Sequence, residues 1–141
     1  LGIHSEATAI SLFESAANEC ITYLESGTLA TAARRDEFQA YYECGAVVAL
    51  ATNGFLQAAG SDLFALWHEL IDASLAGDGT YRAKDYYALT DAVSTDLTAA
   101  SRSVVEDELA DPTSAVEALL EIGTVAVIDV EEQGLALPTM P

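Results

Sequence analysis

Apolar positions recur along this chain every three to four residues almost from end to end, a spacing that predicts helices packed against one another. The most telling stretch is residues 36–60, DEFQAYYECGAVVALATNGFLQAAG. Apolar or small side chains at Phe38, Tyr41, Tyr42, Gly45, Val48, Ala49, Thr52, Phe55 and Leu56 trace one helical face. Between Gly45 and Ala51 the opposite face is apolar too, through Ala46, Val47 and Leu50. A helix that is apolar all round in its middle is a buried one. The pattern therefore predicts a central helix with the other segments arranged around it.

Those segments follow in order. Ser5 and Glu6 open a first helix, with Ile10, Phe13, Ala17, Cys20, Ile21 and Leu24 on one face and Gly27 as its stop. Residues 28–35 read as a loop or a short helix, and Asp36 is the candidate cap of the central one. Asn53-Gly54 is ordinarily a turn signal, but Phe55 and Leu56 continue the same face, so the helix is carried through. Ser61-Asp62 caps a third helix ending near Leu75, with the stripe Leu63, Leu66, Trp67, Leu70 and Ile71. After the loop Gly77-Asp78-Gly79 come a fourth helix over residues 83–93 and a fifth over 95–109. Asp111-Pro112 starts a sixth, with Asp as cap and Pro at the first helical position, ending at Gly123. Val125, Val127, Ile128 and Val130 then favour a short strand over residues 124–130, with a second over 134–137. The expected fold is a mainly all-α bundle of about six helices in a single domain, residues 1–141, with a short C-terminal strand or hairpin.

Composition narrows the functional classes. A chain of 141 residues, 51% hydrophobic, is long enough to bury a core without staples. No apolar run approaches the roughly 20 residues of a membrane helix, and no basic-then-apolar leader opens the sequence. The 23 acidic residues outnumber the five basic ones to give a net charge of -18. Such a surface repels phosphate backbones and anionic lipid, so neither nucleic acid nor a membrane is the expected partner. It suits a solvated protein, and a periplasmic or secreted setting is one such home. The two cysteines, Cys20 and Cys44, are too few for a disulfide framework or a structural zinc site. Buried free thiols are the expectation, and a bridge between the first two helices is the alternative.

Candidate chemistry is sparse. His68-Glu69 on the third helix invites comparison with a zinc-peptidase helix, which needs a second His one turn after the first. Asp72 stands there instead, no third ligand is near in sequence, and His68 is expected to face solvent beside Asp72. His4 is the only other histidine. The tyrosines Tyr41, Tyr42, Tyr81, Tyr86 and Tyr87 gather around the central helix and the approach to the fourth.

One resemblance joins these features. Tyr42-Glu43-Cys44-Gly45-Ala46 and the apolar run after it resemble the Tyr-x-Lys-Gly-Ala helix of gluzincin zinc aminopeptidases, the glycyl aminopeptidases in particular. Ser61-Asp62-Leu63, Gly79-Thr80-Tyr81 and Lys84-Asp85-Tyr86-Tyr87 follow in a similar order, so the likeness spans residues 37–123. It implies that the chain is the C-terminal helical part of a larger peptidase. It further implies that Tyr42 donates a hydrogen bond to the oxyanion of the tetrahedral intermediate in the intact enzyme. Cys44 departs from the family's Lys. The His-Glu-x-x-His helix is absent, so zinc is expected in the complete parent and no cofactor in this chain. The chain begins with Leu rather than Met, as a piece cut from a longer protein or a processed product would. The partner implied is the remainder of the peptidase, or a second copy paired through the C-terminal strand. The competing expectation is a stand-alone acidic helical module that binds a protein and catalyses nothing.

Overall fold

The computed structural model describes the backbone of residues 6–132 and the side chains of residues 13–123. Six α-helices and one 3-10 segment follow one another: α1 (Glu6–Glu25), the 3-10 helix (Leu29–Arg35), α2 (Gln39–Ala58), α3 (Leu63–Ala76), α4 (Ala83–Asp91), α5 (Thr95–Glu106) and α6 (Pro112–Glu132). Local chemistry sets most of these boundaries. Asp62 accepts the Ala65 N–H at the start of α3, and Ser94 accepts the Leu97 N–H at the start of α5. Asp111 takes the Ser114 N–H on one oxygen and the Ser114 hydroxyl on the other. Those two bonds hold its carboxyl below the ordinary carboxylate range. The cap therefore contributes above the ordinary carboxylate pKa and is lost as acid protonates Asp111.

α2 lies at the centre, packed chiefly against α6 and α1 and touching α3, α5 and the 3-10 helix. No side chain from Ala46 to Leu56 is exposed. The buried line nevertheless differs from the expected one. It runs Ala40, Cys44, Val47, Ala51 and Gly54, with steps of four and three residues. The bulkier aromatic line is rotated outward, leaving Tyr42 73% and Phe38 56% exposed. Small residues face inward because they let neighbouring backbones approach. A Cβ built on Gly54 would sit 2.7 Å from the Gly123 carbonyl oxygen, and one on Gly123 would sit 2.6 Å from Ala51 Cα. The α2–α6 crossing is thus built on two glycines. Asn53-Gly54 is not a turn, and Asn53 accepts the Leu63 N–H at 3.0 Å to help begin α3. α2 instead stops at Gly60, whose φ of 82° favours glycine, where Ser61 N–H closes on the Leu56 carbonyl.

Three expectations are corrected here. Cys20 and Cys44 are not free thiols. They form a disulfide between α1 and α2, with Cα atoms 4.9 Å apart and both residues fully buried. Asp36 does not cap α2. With φ of 57° it closes the 3-10 helix, where Arg35 binds Glu37, the Thr31 hydroxyl and the Thr28 carbonyl. Residues 124–130 are not a strand, because α6 runs through Gly123 and on to Glu132. Valine in a helix costs only a few tenths of a kcal/mol relative to the best formers, which an established helix absorbs. The second expected strand, residues 134–137, lies outside the described residues, as does His4.

The remaining core is made of Leu24, Leu29, Leu97, Val104, Val116 and Leu119, all at most 6% exposed. Four polar side chains are buried with it among the described residues, of which Thr52, Thr90 and Thr98 are hydrogen-bonded. Ser101 is fully buried and its hydroxyl finds no partner among the described residues. An orphaned hydroxyl costs about 1–3 kcal/mol. Ser101→Ala should therefore raise the melting temperature by a few degrees, and a lower one would show that the hydroxyl is satisfied in solution.

Candidate functional site

An open, almost wholly apolar cleft of about 270 Å³ lies where α2 faces α3, α4 and the 3-10 helix, walled by Leu29, Gly45, Val48, Leu63, Trp67 and Tyr86. Val48, expected at the core's centre, is half-buried on this cleft, and Val47 beside it takes the core position at 1% exposure. A hydroxyl pair fixes one wall. Buried Thr52 on α2 and Tyr86 on α4 share a hydrogen bond of 2.7 Å across 34 residues of sequence. Burial raises the Tyr86 phenol above its ordinary value against the opposing pull of that bond. Tyr87, beside it, meets Tyr86 edge-on at 6.1 Å and carries the Arg102 guanidinium over its ring at 5.3 Å. Sequence reasoning missed the Thr52–Tyr86 bond. Its signal was a lone threonine in an otherwise apolar stretch of α2.

The tyrosines expected near one another divide by role. Tyr86 and Tyr87 anchor α4, and Tyr41 accepts the Ala33 N–H at 3.2 Å, tying α2 to the 3-10 helix. Tyr81 packs edge-on against Trp67 with ring centroids 5.9 Å apart. Tyr42 is the most exposed of the five at 73%, and neither it nor Tyr81, 53% exposed, has a hydrogen-bond partner for its hydroxyl among the described residues. Tyr42 stands one helical turn before Gly45 on the side of α2 that borders the cleft.

α3 departs from its expected stripe. Leu66 and Leu70 are buried at 5% and 1%, but Trp67 and Ile71 are exposed at 38% and 45%. Phe64 and Leu75 are exposed as well. His68 and Asp72 both face solvent, four residues apart. No group of three His, Cys, Asp or Glu side chains converges among the described residues. Two exposed ligands on one helix do not fit a zinc centre, which needs three or four.

No protein-family model, curated protein or solved structure matches this chain. Two further hollows are of mixed charge. One, of about 310 Å³ between α4 and α5, has Lys84, Asp91, Arg102 and Glu106 on its walls, and Arg102 is already paired with Glu106 at 3.2 Å. The other, of about 270 Å³ under the loop after α3, includes Asp78, which holds the Thr80 N–H and hydroxyl. Glu106 in the first and Asp78 in the second thus have partners within the fold. No helix among the described residues is long and apolar enough to cross a membrane.

Proposed function

We propose that this chain is the helical wall of a gluzincin-type zinc aminopeptidase, with Tyr42 as the oxyanion donor and the zinc-bearing part supplied by the rest of that enzyme. One observation carries the reading. Tyr42 presents an exposed phenol on α2 one helical turn before Gly45, which lines the apolar cleft. A phenol held there donates to a carbonyl oxygen as negative charge develops on it, which is what acyl transfer needs from such a group. The sequence order around Tyr42-Glu43-Cys44-Gly45-Ala46 supports the same role. Cys44, which stands where the family has Lys, is bridged to Cys20. A buried bridge also fits a chain matured in an oxidising compartment, the periplasm or cell exterior.

The test is Tyr42→Phe in the complete gene product, assayed on aminoacyl substrates. Loss of one oxyanion donor lowers kcat by about a hundred- to a thousandfold. Because Tyr42 is 73% exposed, the fold should be unchanged by circular dichroism. Unaltered turnover in an active parent would remove Tyr42 from the chemistry.

A second reading, an acidic helical interaction module without catalysis, is favoured by the outward apolar face of α3, which has the character of a contact surface.

A further inference from the structure

Phe64, Trp67, Ile71 and Leu75 are spaced by three, four and four residues, so they stand in one row on α3. At 1.5 Å per residue that row is about 16 Å long. Its ends are the most exposed, Phe64 at 78% and Leu75 at 74%, with Trp67 and Ile71 between them. The core side of α3 is supplied by Leu66 and Leu70. A surface helix of a packed domain needs one apolar stripe, and α3 carries two. A contiguous exposed apolar row marks a contact surface.

Charge selects what covers it. α3 contains no Lys or Arg, and exposed His68 and Asp72 border the row on its solvent side, while exposed Glu69 lies further round the helix. The chain as a whole carries a net charge of -18. A second copy would set the same acidic flank and the same net charge against it, so self-pairing is opposed electrostatically. Anionic lipid and nucleic acid are opposed for the same reason. A helix that matches the row in length and brings positive charge meets no such barrier.

We propose that the outward face of α3 docks a basic amphipathic helix. The apolar side of that helix lies along Phe64, Trp67, Ile71 and Leu75, and its Lys or Arg side chains reach Asp72 and the acidic surface around it. This is the helix-on-helix mode of peptide recognition. The cleft beside Trp67 receives one anchoring side chain, as buried pockets do at the centre of interfaces. The proposal rests on the interaction-module reading and is independent of Tyr42.

Trp67 is the only tryptophan in the chain, so its emission reports on this face alone. The probe is a synthetic Leu/Lys peptide of about five helical turns with leucines at helical spacing. One control has the same composition shuffled to break the spacing, and another carries Glu in place of Lys. The Leu/Lys helix should shift Trp67 emission to the blue in a saturable one-to-one titration, and added salt should weaken it. The variant carrying Phe64→Glu and Leu75→Glu should bind about tenfold more weakly or worse. Its melting temperature should be unchanged, since both side chains are exposed. Equal binding of the shuffled peptide, or equal affinity in the variant, overturns the proposal. Binding of the Glu peptide in preference to the Lys peptide also overturns it and leaves the interaction-module reading standing. Failure of every helical peptide to bind removes both.

Discussion

Gly54→Val and Gly123→Val, made singly, should each unfold this protein or lower its melting temperature by roughly 10 °C or more. The cause is where α2 crosses α6. The first side-chain carbon at Gly54 would be 2.7 Å from a backbone oxygen of Gly123, and that at Gly123 would be 2.6 Å from Ala51 Cα. Both distances are well inside contact, and both obstacles are backbone, so no rotamer change relieves them. The helices must separate, and the packing of Val47, Ala51, Val116 and Leu119 around the crossing is lost with them. Overpacking of this kind costs about 1–3 kcal/mol and more when the backbone has to move. Total stability of an ordinary domain is about 5–15 kcal/mol.

Gly45 supplies the control within the same helix. A Cβ there meets nothing within 4 Å. Gly45→Ala should therefore gain the helix propensity that glycine forgoes, about 0.5–1 kcal/mol. Thermal melts followed by circular dichroism separate the cases, with Gly45→Ala melting above the parent and Gly54→Ala and Gly123→Ala below it. If Gly54→Ala and Gly45→Ala melt alike, the helices do not cross at these glycines.

The helical plan was legible because local signals wrote it. Asp62 and Asp111-Pro112 each mark a start that the backbone obeys, within a residue or two. The face of α2 was not legible by weight of hydrophobicity. Phe38, Tyr41 and Tyr42 offer far more apolar area than Ala40, Cys44 and Gly54, yet the small residues hold the core because only they permit close helix approach. The same blindness made Gly123 look like an end. The valines after Gly123 read as a strand because β-propensity depends on context, and the context is a helix already under way from Pro112. Its own carbonyls satisfy the backbone groups of residues 124–130, so no partner strand is needed to cover them. Of the candidate site, Tyr42 could be nominated from its motif. The cleft could not, because Leu29, Trp67 and Tyr86 come from three separate elements.

Removing the Cys20–Cys44 bridge should be the other large effect. The bridge closes a loop with a sequence separation of 24. In the chain-entropy estimate, a loop of that length restricts the unfolded chain by roughly 3.5 kcal/mol. Both residues are fully buried between α1 and α2, so cleavage also leaves two thiols to be packed where one bond stood. The double variant Cys20→Ala, Cys44→Ala should melt roughly 10 °C below the parent. α1 should show the largest rise in amide exchange, because the bridge joins it to the central helix. Burial also sets the kinetics. A reductant added to the folded protein should act slowly, since no sulfur is offered to solvent, whereas the same reductant in denaturant should act at once. Thiol titration gives the direct check. Denatured but unreduced protein from an oxidising host should yield no free thiol, and reduced protein should yield two, matching the two cysteines of the sequence. Two free thiols before reduction, with the double variant melting at the parent's temperature, would mean that α1 is held to α2 by packing alone.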